Sequence, residues 1–141
     1  MLVRLLYASH AVGTIDSAAI QDIMAQSHAH NPHNGITGIL CHSDKLFMQV
    51  LEGGRDAVNA LYAKILSDRR HTNVVLLHYE EICERRYAGW TMGHTNLAKI
   101  NQSILLRFAE LPEMTPHTMS GKNSLALIDE LMATATIVGR P

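Results

Sequence analysis

Three polar side chains stand where the sequence pattern aims them at an apolar interior: Tyr7, Asn31 and Gln49. Gln49 sits in Leu46-Phe47-Met48-Gln49-Val50-Leu51-Glu52-Gly53, a run that otherwise reads as a core strand. Successive strand side chains point to opposite faces, so Phe47, Gln49 and Leu51 share one face. A buried amide without partners costs about 1–3 kcal/mol, so something polar must lie over that strand. Tyr7 is flanked on its own face by Leu5 and Ser9, and Asn31 precedes Pro32 at the end of a helical pattern. A phenol hydroxyl and a carboxamide each donate and accept hydrogen bonds. If the strands of Tyr7 and Gln49 are neighbours, the three residues suit the edge of a flat heterocycle bearing carbonyl and imide groups. Each has a plainer reading taken singly. A strand tyrosine is commonly a core residue, a strand glutamine commonly bonds backbone, and asparagine before proline is a common helix stop.

Other chemistry is absent or weak. The chain has no GxGxxG, no P-loop and no GxSxG elbow. Glu80 and Glu81 are strand neighbours, so they face opposite ways and read as solvated carboxylates. Arg69-Arg70 and Arg85-Arg86 are short basic pairs that could meet phosphates, although surface charge is the plainer reading. His28, His30 and His33 cluster near the end of the first helix, but no cysteine or carboxylate spacing completes a metal site.

Composition narrows the class. At 141 residues the chain suits one domain that needs no staples. A net charge of −1 without a basic block argues against nucleic acid or an anionic membrane as the main partner. No apolar run approaches the roughly 20 residues of a membrane span. The opening Met1-Leu2-Val3-Arg4-Leu5-Leu6-Tyr7 is too short and strand-like for a signal peptide. Cys41 and Cys83 are expected as free thiols in a reducing cytoplasm.

The positioning elements follow from periodicity. Leu2 to Ser9 is a first, central strand. Asp16 caps a helix to about Ala29, with Ile20, Ile23, Met24 and Ser27 on one face and Asn31-Pro32 closing it. Gly35 to Cys41 and Leu46 to Glu52 form a hairpin around Ser43-Asp44-Lys45. A second helix presents Val58, Leu61, Tyr62, Ile65 and Leu66 inward. Val74 to Ile82 is a fourth strand, and Trp90 to His94 the core of a fifth. The order βαββαββ predicts an α+β, ferredoxin-like sandwich: a mixed five-stranded sheet with two helices on one face. Residues 97–141 read as an appended C-terminal helical pair, with Ile100, Ile104, Leu105 and Phe108 in one helix and Leu125, Ile128, Leu131 and Met132 in the other.

The ordered set Tyr7-Ala8-Ser9, Asn31-Pro32, Gly35-Ile36-Thr37-Gly38, Phe47-Met48-Gln49-Val50-Leu51-Glu52-Gly53, Asp68-Arg69-Arg70-His71 and Arg86-Tyr87-Ala88-Gly89-Trp90-Thr91-Met92 resembles the BLUF family of FAD-binding blue-light sensors. The resemblance covers residues 1–96 and is closest to short single-domain members carrying a C-terminal helical extension, 97–141, as cap, output or oligomer contact. It implies non-covalent FAD, with FMN or riboflavin as possible substitutes. It implies that Tyr7 gives an electron and a proton to the excited flavin and that Gln49 bridges Tyr7 to flavin N5 and C4=O. Asn31 would hold the C4=O and N3–H edge, His30 would pack on the ring, and Ser9 would help fix the network. Arg70 and His71 would lie towards the ribityl and phosphate side. Trp90 and Met92 would form the pair that relays the signal along the fifth strand. The chain would then be a sensor without substrate turnover, signalling to a separate downstream protein and self-associating as a homo-oligomer. A flavin-dependent oxidoreductase and a chromophore-free ferredoxin-like binding module are the alternatives.

Overall fold

The computed structural model describes residues 1–134 and 137. The strands are β1 (Leu2–Ala11), β2 (Thr37–His42), β3 (Leu46–Gly54), β4 (His71–Ile82) and β5 (Gly93–Asn96). Helices α1 (Ser17–Asn34) and α2 (Arg55–Ser67) interrupt them. A single 3-10 turn (Leu97–Lys99), α3 (Gln102–Leu106) and α4 (Gly121–Ala133) follow. The sheet order is β4-β1-β3-β2-β5, with β2 and β5 parallel and the other pairs antiparallel. This is the expected ferredoxin-like sandwich, and the last part of the expected helical extension lies outside the described residues.

Alternation along the strands divides the interior in two. Val3, Leu5, Tyr7, Leu40, Phe47 and Leu51 pack under Ile20 and Met24 of α1 and Val58 and Ile65 of α2. Leu6, Ile39, Cys41, Met48 and Val50 point the other way and pack under Leu125, Leu127, Ile128 and Leu131 of α4. The C-terminal extension therefore covers the second face of the sheet. Each fully buried aliphatic side chain here is worth about 1.5–3 kcal/mol of burial.

Three sequence expectations shift. The first helix does not end at Asn31-Pro32; it runs through both to Asn34. Proline removes one helix bond, but termination comes from Gly35, whose φ of 67° is left-handed. The Gly35 and Ile36 N–H groups both donate to the Asn31 carbonyl, so Asn31 is held inside the last turn. Leu66 is exposed, because the inward stripe of α2 passes through Val58 and Ile65 instead. Trp90 and Met92 precede the fifth strand. A turn in which Trp90 N–H donates to the Tyr87 carbonyl leads into that stretch, and the ladder starts at Gly93 opposite Ile39. Gly38 explains its own place in the Gly-Ile-Thr-Gly motif: a Cβ there would fall 2.0 Å from the Val50 carbonyl oxygen.

Glu52 ties the layers together. Its carboxylate is fully buried and bonds Arg4 Nη2 at 2.7 Å, the Arg86 N–H at 3.1 Å and the Tyr87 N–H at 2.7 Å. Arg4 also pairs with Glu80, so that carboxylate is ion-paired at the surface of β4. Removing one partner of a buried pair strands the other charge. Glu52→Ala is therefore expected to cost about 3 kcal/mol or more in urea unfolding. A loss below about 1 kcal/mol, the range of an exposed pair, would contradict this assignment.

Candidate functional site

A cavity of about 320 Å³ opens between α1 and α2 above the sheet. Its floor holds Tyr7 and Gln49, which face each other directly in the β1–β3 register. The Tyr7 hydroxyl donates to Gln49 Oε1 at 2.6 Å, and Gln49 Nε2 points to Met92 Sδ at 3.3 Å. A thioether is a weak acceptor. The amide nitrogen, on a residue only 6% exposed, thus keeps unused donor capacity at the cavity floor.

The wall on α1 is polar where a packed helix would be apolar. Ile20 and Met24 bury under the first half of the helix, whereas Ser27, His30, Asn31 and Asn34 line the cavity at the same helical spacing. Asn31 is 5% exposed, and its side-chain amide has no hydrogen-bond partner among the described residues. On α2, the small side chains of Ala57 and Ala60 leave room opposite. His30 is exposed and borders the cavity. Across the site, Ser9 Oγ and His71 Nδ1 share a 2.7 Å hydrogen bond, and the His71 ring lies against Phe47 at 4.7 Å. Burial holds the His71 imidazole below its usual range, with Asp68 opposing the shift. Arg70 borders the cavity and is clamped to Asp68, Nη2 to Oδ2 at 2.6 Å.

The structure brings Tyr7, His30, Asn31, Gln49, Arg70 and His71 to one cavity, with Ser9 bonded to His71 and Met92 to Gln49. Trp90 is elsewhere. It packs in the cluster beneath α4, on the opposite face of the sheet. Met92 is the member of the pair that touches Gln49. Sequence reasoning passed over Gln26, Ser27, Asn34, Lys64 and the cavity role of Asp68. The polar stripe Ser27, Asn31, Asn34 at helical spacing was the available signal for α1. Nothing in the sequence marked Lys64 among other surface lysines.

Comparison with known proteins gives this geometry a family. The BLUF family model, described as sensors of blue-light using FAD, matches residues 2–93. A photoactivated adenylate cyclase subunit beta from Euglena longa is 35% identical over 125 residues, covering 88% of this chain and 14% of that protein. The structure of BlsA in its photo-activated state aligns with a TM-score of 0.83 at 30% identity, covering 94% of this chain and 95% of that one. The dark-state structure of BlrB, a BLUF protein, aligns with a TM-score of 0.79 at 28% identity, covering 95% and 96%. The chain belongs to the BLUF family of FAD-binding blue-light sensors. It spans only about one seventh of the cyclase subunit.

The residues present fit the family's cofactor. The cavity lies in the roughly 300–1,000 Å³ range of small-molecule sites. An unpartnered amide on the wall and a half-satisfied amide on the floor are matched to the carbonyl and imide edge of a flavin. Arg70 and Lys64 at the border supply positive charge suited to phosphate.

Desolvation, and secondarily the Asp68 carboxylate, push the Tyr7 phenol far above its ordinary pKa. In the unfolded chain it titrates near pH 10. A raised folded value means stability is complete below about pH 10 and falls as pH rises past it. Unfolding between about pH 10 and 12 is expected to show a steep loss of stability that Tyr7→Phe makes shallower. Equal slopes in the two proteins would contradict a phenol held protonated by its surroundings.

Proposed function

We propose that this chain is a blue-light receptor in which Tyr7 and Gln49 sense the excitation of bound FAD and switch a hydrogen-bond network. The observation that carries the reading is the 2.6 Å bond from the Tyr7 hydroxyl to Gln49 Oε1 on the floor of a cavity whose wall presents the free amide of Asn31. Asn31 and Gln49 would hold the ring edge, with His30 against it and Arg70, Lys64 and His71 on the side of the sugar and phosphates. When bound, the flavin supplies an oxidant that exists only under illumination.

What this chain adds is control of one proton and one amide. Tyr7 keeps its proton in the dark, since burial disfavours the phenolate. That proton points at Gln49 Oε1, so the phenol is poised to release it at that atom when it loses an electron. The Gln49 carboxamide presents an acceptor at one end and a donor at the other. Rotation or tautomerisation exchanges the two, so Tyr7 and Met92 meet groups of reversed character. Such an element needs only a few kcal/mol of bias to change its population. Ser9 acts through His71, keeping that ring against Phe47.

Residues 1–96 form the photosensory unit and 97–141 the output segment in this reading. The route between them leaves β3 at Glu52. Its carboxylate pins the segment that carries Tyr87, Trp90 and Met92. Tyr87 Oη donates to Asp129 Oδ1 of α4 at 2.9 Å, and Arg86 pairs with the same carboxylate. Movement of Met92 away from Gln49 would thus reach α4 through Tyr87. The recipient is a separate signalling protein, without substrate turnover by this chain and without nucleic acid or membrane. No helix among the described residues is long and apolar enough to cross a membrane. Self-association and a cytoplasmic location complete the proposal.

Two experiments test it. Purified protein should be yellow and should show a reversible red shift of the flavin bands under blue light, lost in Tyr7→Phe and in Gln49→Leu. A flavin that is reduced and turned over with an added reductant, without the red shift, would favour the oxidoreductase. Tyr87→Phe should keep the red shift but lose most light-dependent change in proteolytic protection of α4. Protection that still changes fully would contradict the Tyr87 route.

A further inference from the structure

The segment that delivers Met92 to Gln49 has a second anchor, on α1. His28 Nε2 lies 3.1 Å from the Met92 carbonyl oxygen. A carbonyl only accepts, so Nε2 carries the hydrogen and His28 is the donor. His28 and Asn31 are three residues apart on α1, so one helical turn grips the Met92 backbone and presents the free amide of the cavity wall. That turn is short of helix bonds. Pro32, four residues after His28, has no N–H to offer the His28 carbonyl. The position of this turn therefore depends more than usual on contacts made outside the helix.

The contacts form a continuous path. His28 holds the Met92 carbonyl, Met92 Sδ meets Gln49 Nε2, and Gln49 Oε1 accepts a hydrogen bond from the Tyr7 hydroxyl. We infer that His28 is a positioning residue for the photosite, its Nε2–H donation to the Met92 carbonyl setting the thioether on the Gln49 amide and tying that segment to α1. The inference rests on the proposed role of Gln49 for its functional consequence, but not for the contact itself. It adds an output path to α1, on the opposite side of the sheet from α4.

The test uses the full-length, FAD-loaded protein with 13C-methyl methionine, the Met92 signal being assigned with Met92→Leu. In the dark, His28→Leu should move or split the Met92 methyl resonance, and His28→Gln, which keeps a donor at similar reach, should restore a single resonance near the wild-type position. His28→Leu should also change the rate at which the light-induced absorption returns, again with rescue by His28→Gln. His28 lies on the helix surface, so both variants should fold. An unmoved Met92 signal in His28→Leu overturns the inference, as does a His28→Gln protein that behaves like His28→Leu. The dark spectra decide this even if the protein ignores light, an outcome that would count against the proposed function alone.

Discussion

The site depends on one cross-strand pair. Tyr7 and Gln49 are direct partners in the antiparallel β1–β3 ladder, and both side chains point to the face beneath α1 and α2. Strand register has a period of two, so a slip of one residue would send Tyr7 or Gln49 to the opposite face and separate them. Apolar neighbours prevent that slip. Leu5 and Phe47 would have to leave the core on one side, and Leu6 and Met48 on the other. The hydrogen bond is thus held by the packing of both layers, and it sits where water is scarce and an unmade bond is costly.

The same strand serves both faces. Gln49 lies on the cavity side of β3, and Glu52, three residues on, lies on the other. Glu52 fixes the turn that places Tyr87 and Trp90 beneath α4 and Met92 beneath the cavity. In the proposed account a displacement at Gln49 has a short mechanical path through the sheet. Its first links are a buried ion pair and backbone N–H groups, which hold discrete positions.

Much of this was legible from residue patterns. Period-two alternation identified the strands and put Tyr7 and Gln49 on corresponding faces. Asp16 marked the start of α1, and its side chain accepts the Ala19 N–H. The misreadings have local causes. Asn31-Pro32 carries a strong stop signal, yet the left-handed Gly35 three residues later ends the helix and keeps Asn31 inside it. Trp90 to Met92 has the β-rich look of a strand, but a turn closed through Tyr87 runs into it, and although the Trp90 carbonyl accepts the Gly38 N–H, the regular ladder begins only at Gly93. The cavity itself comes from small and polar side chains, Ala57 and Ala60 on α2 and Ser27 and Asn31 on α1, that leave space unfilled, and periodicity reports what packs better than what stays empty. His28 was visible only as one of three clustered histidines, and its positioning role was not legible because its partner is a backbone carbonyl 64 residues away.

The central idea is that light acts on the Gln49 carboxamide through its bond to Tyr7. The most direct measurement is the 15N–1H spectrum of the Gln49 side-chain amide in FAD-loaded protein, taken in the dark and under continuous blue light. The account predicts that its two N–H resonances move on illumination and return in the dark together with the absorption change. Resonances that stay fixed while the flavin absorption cycles would contradict it.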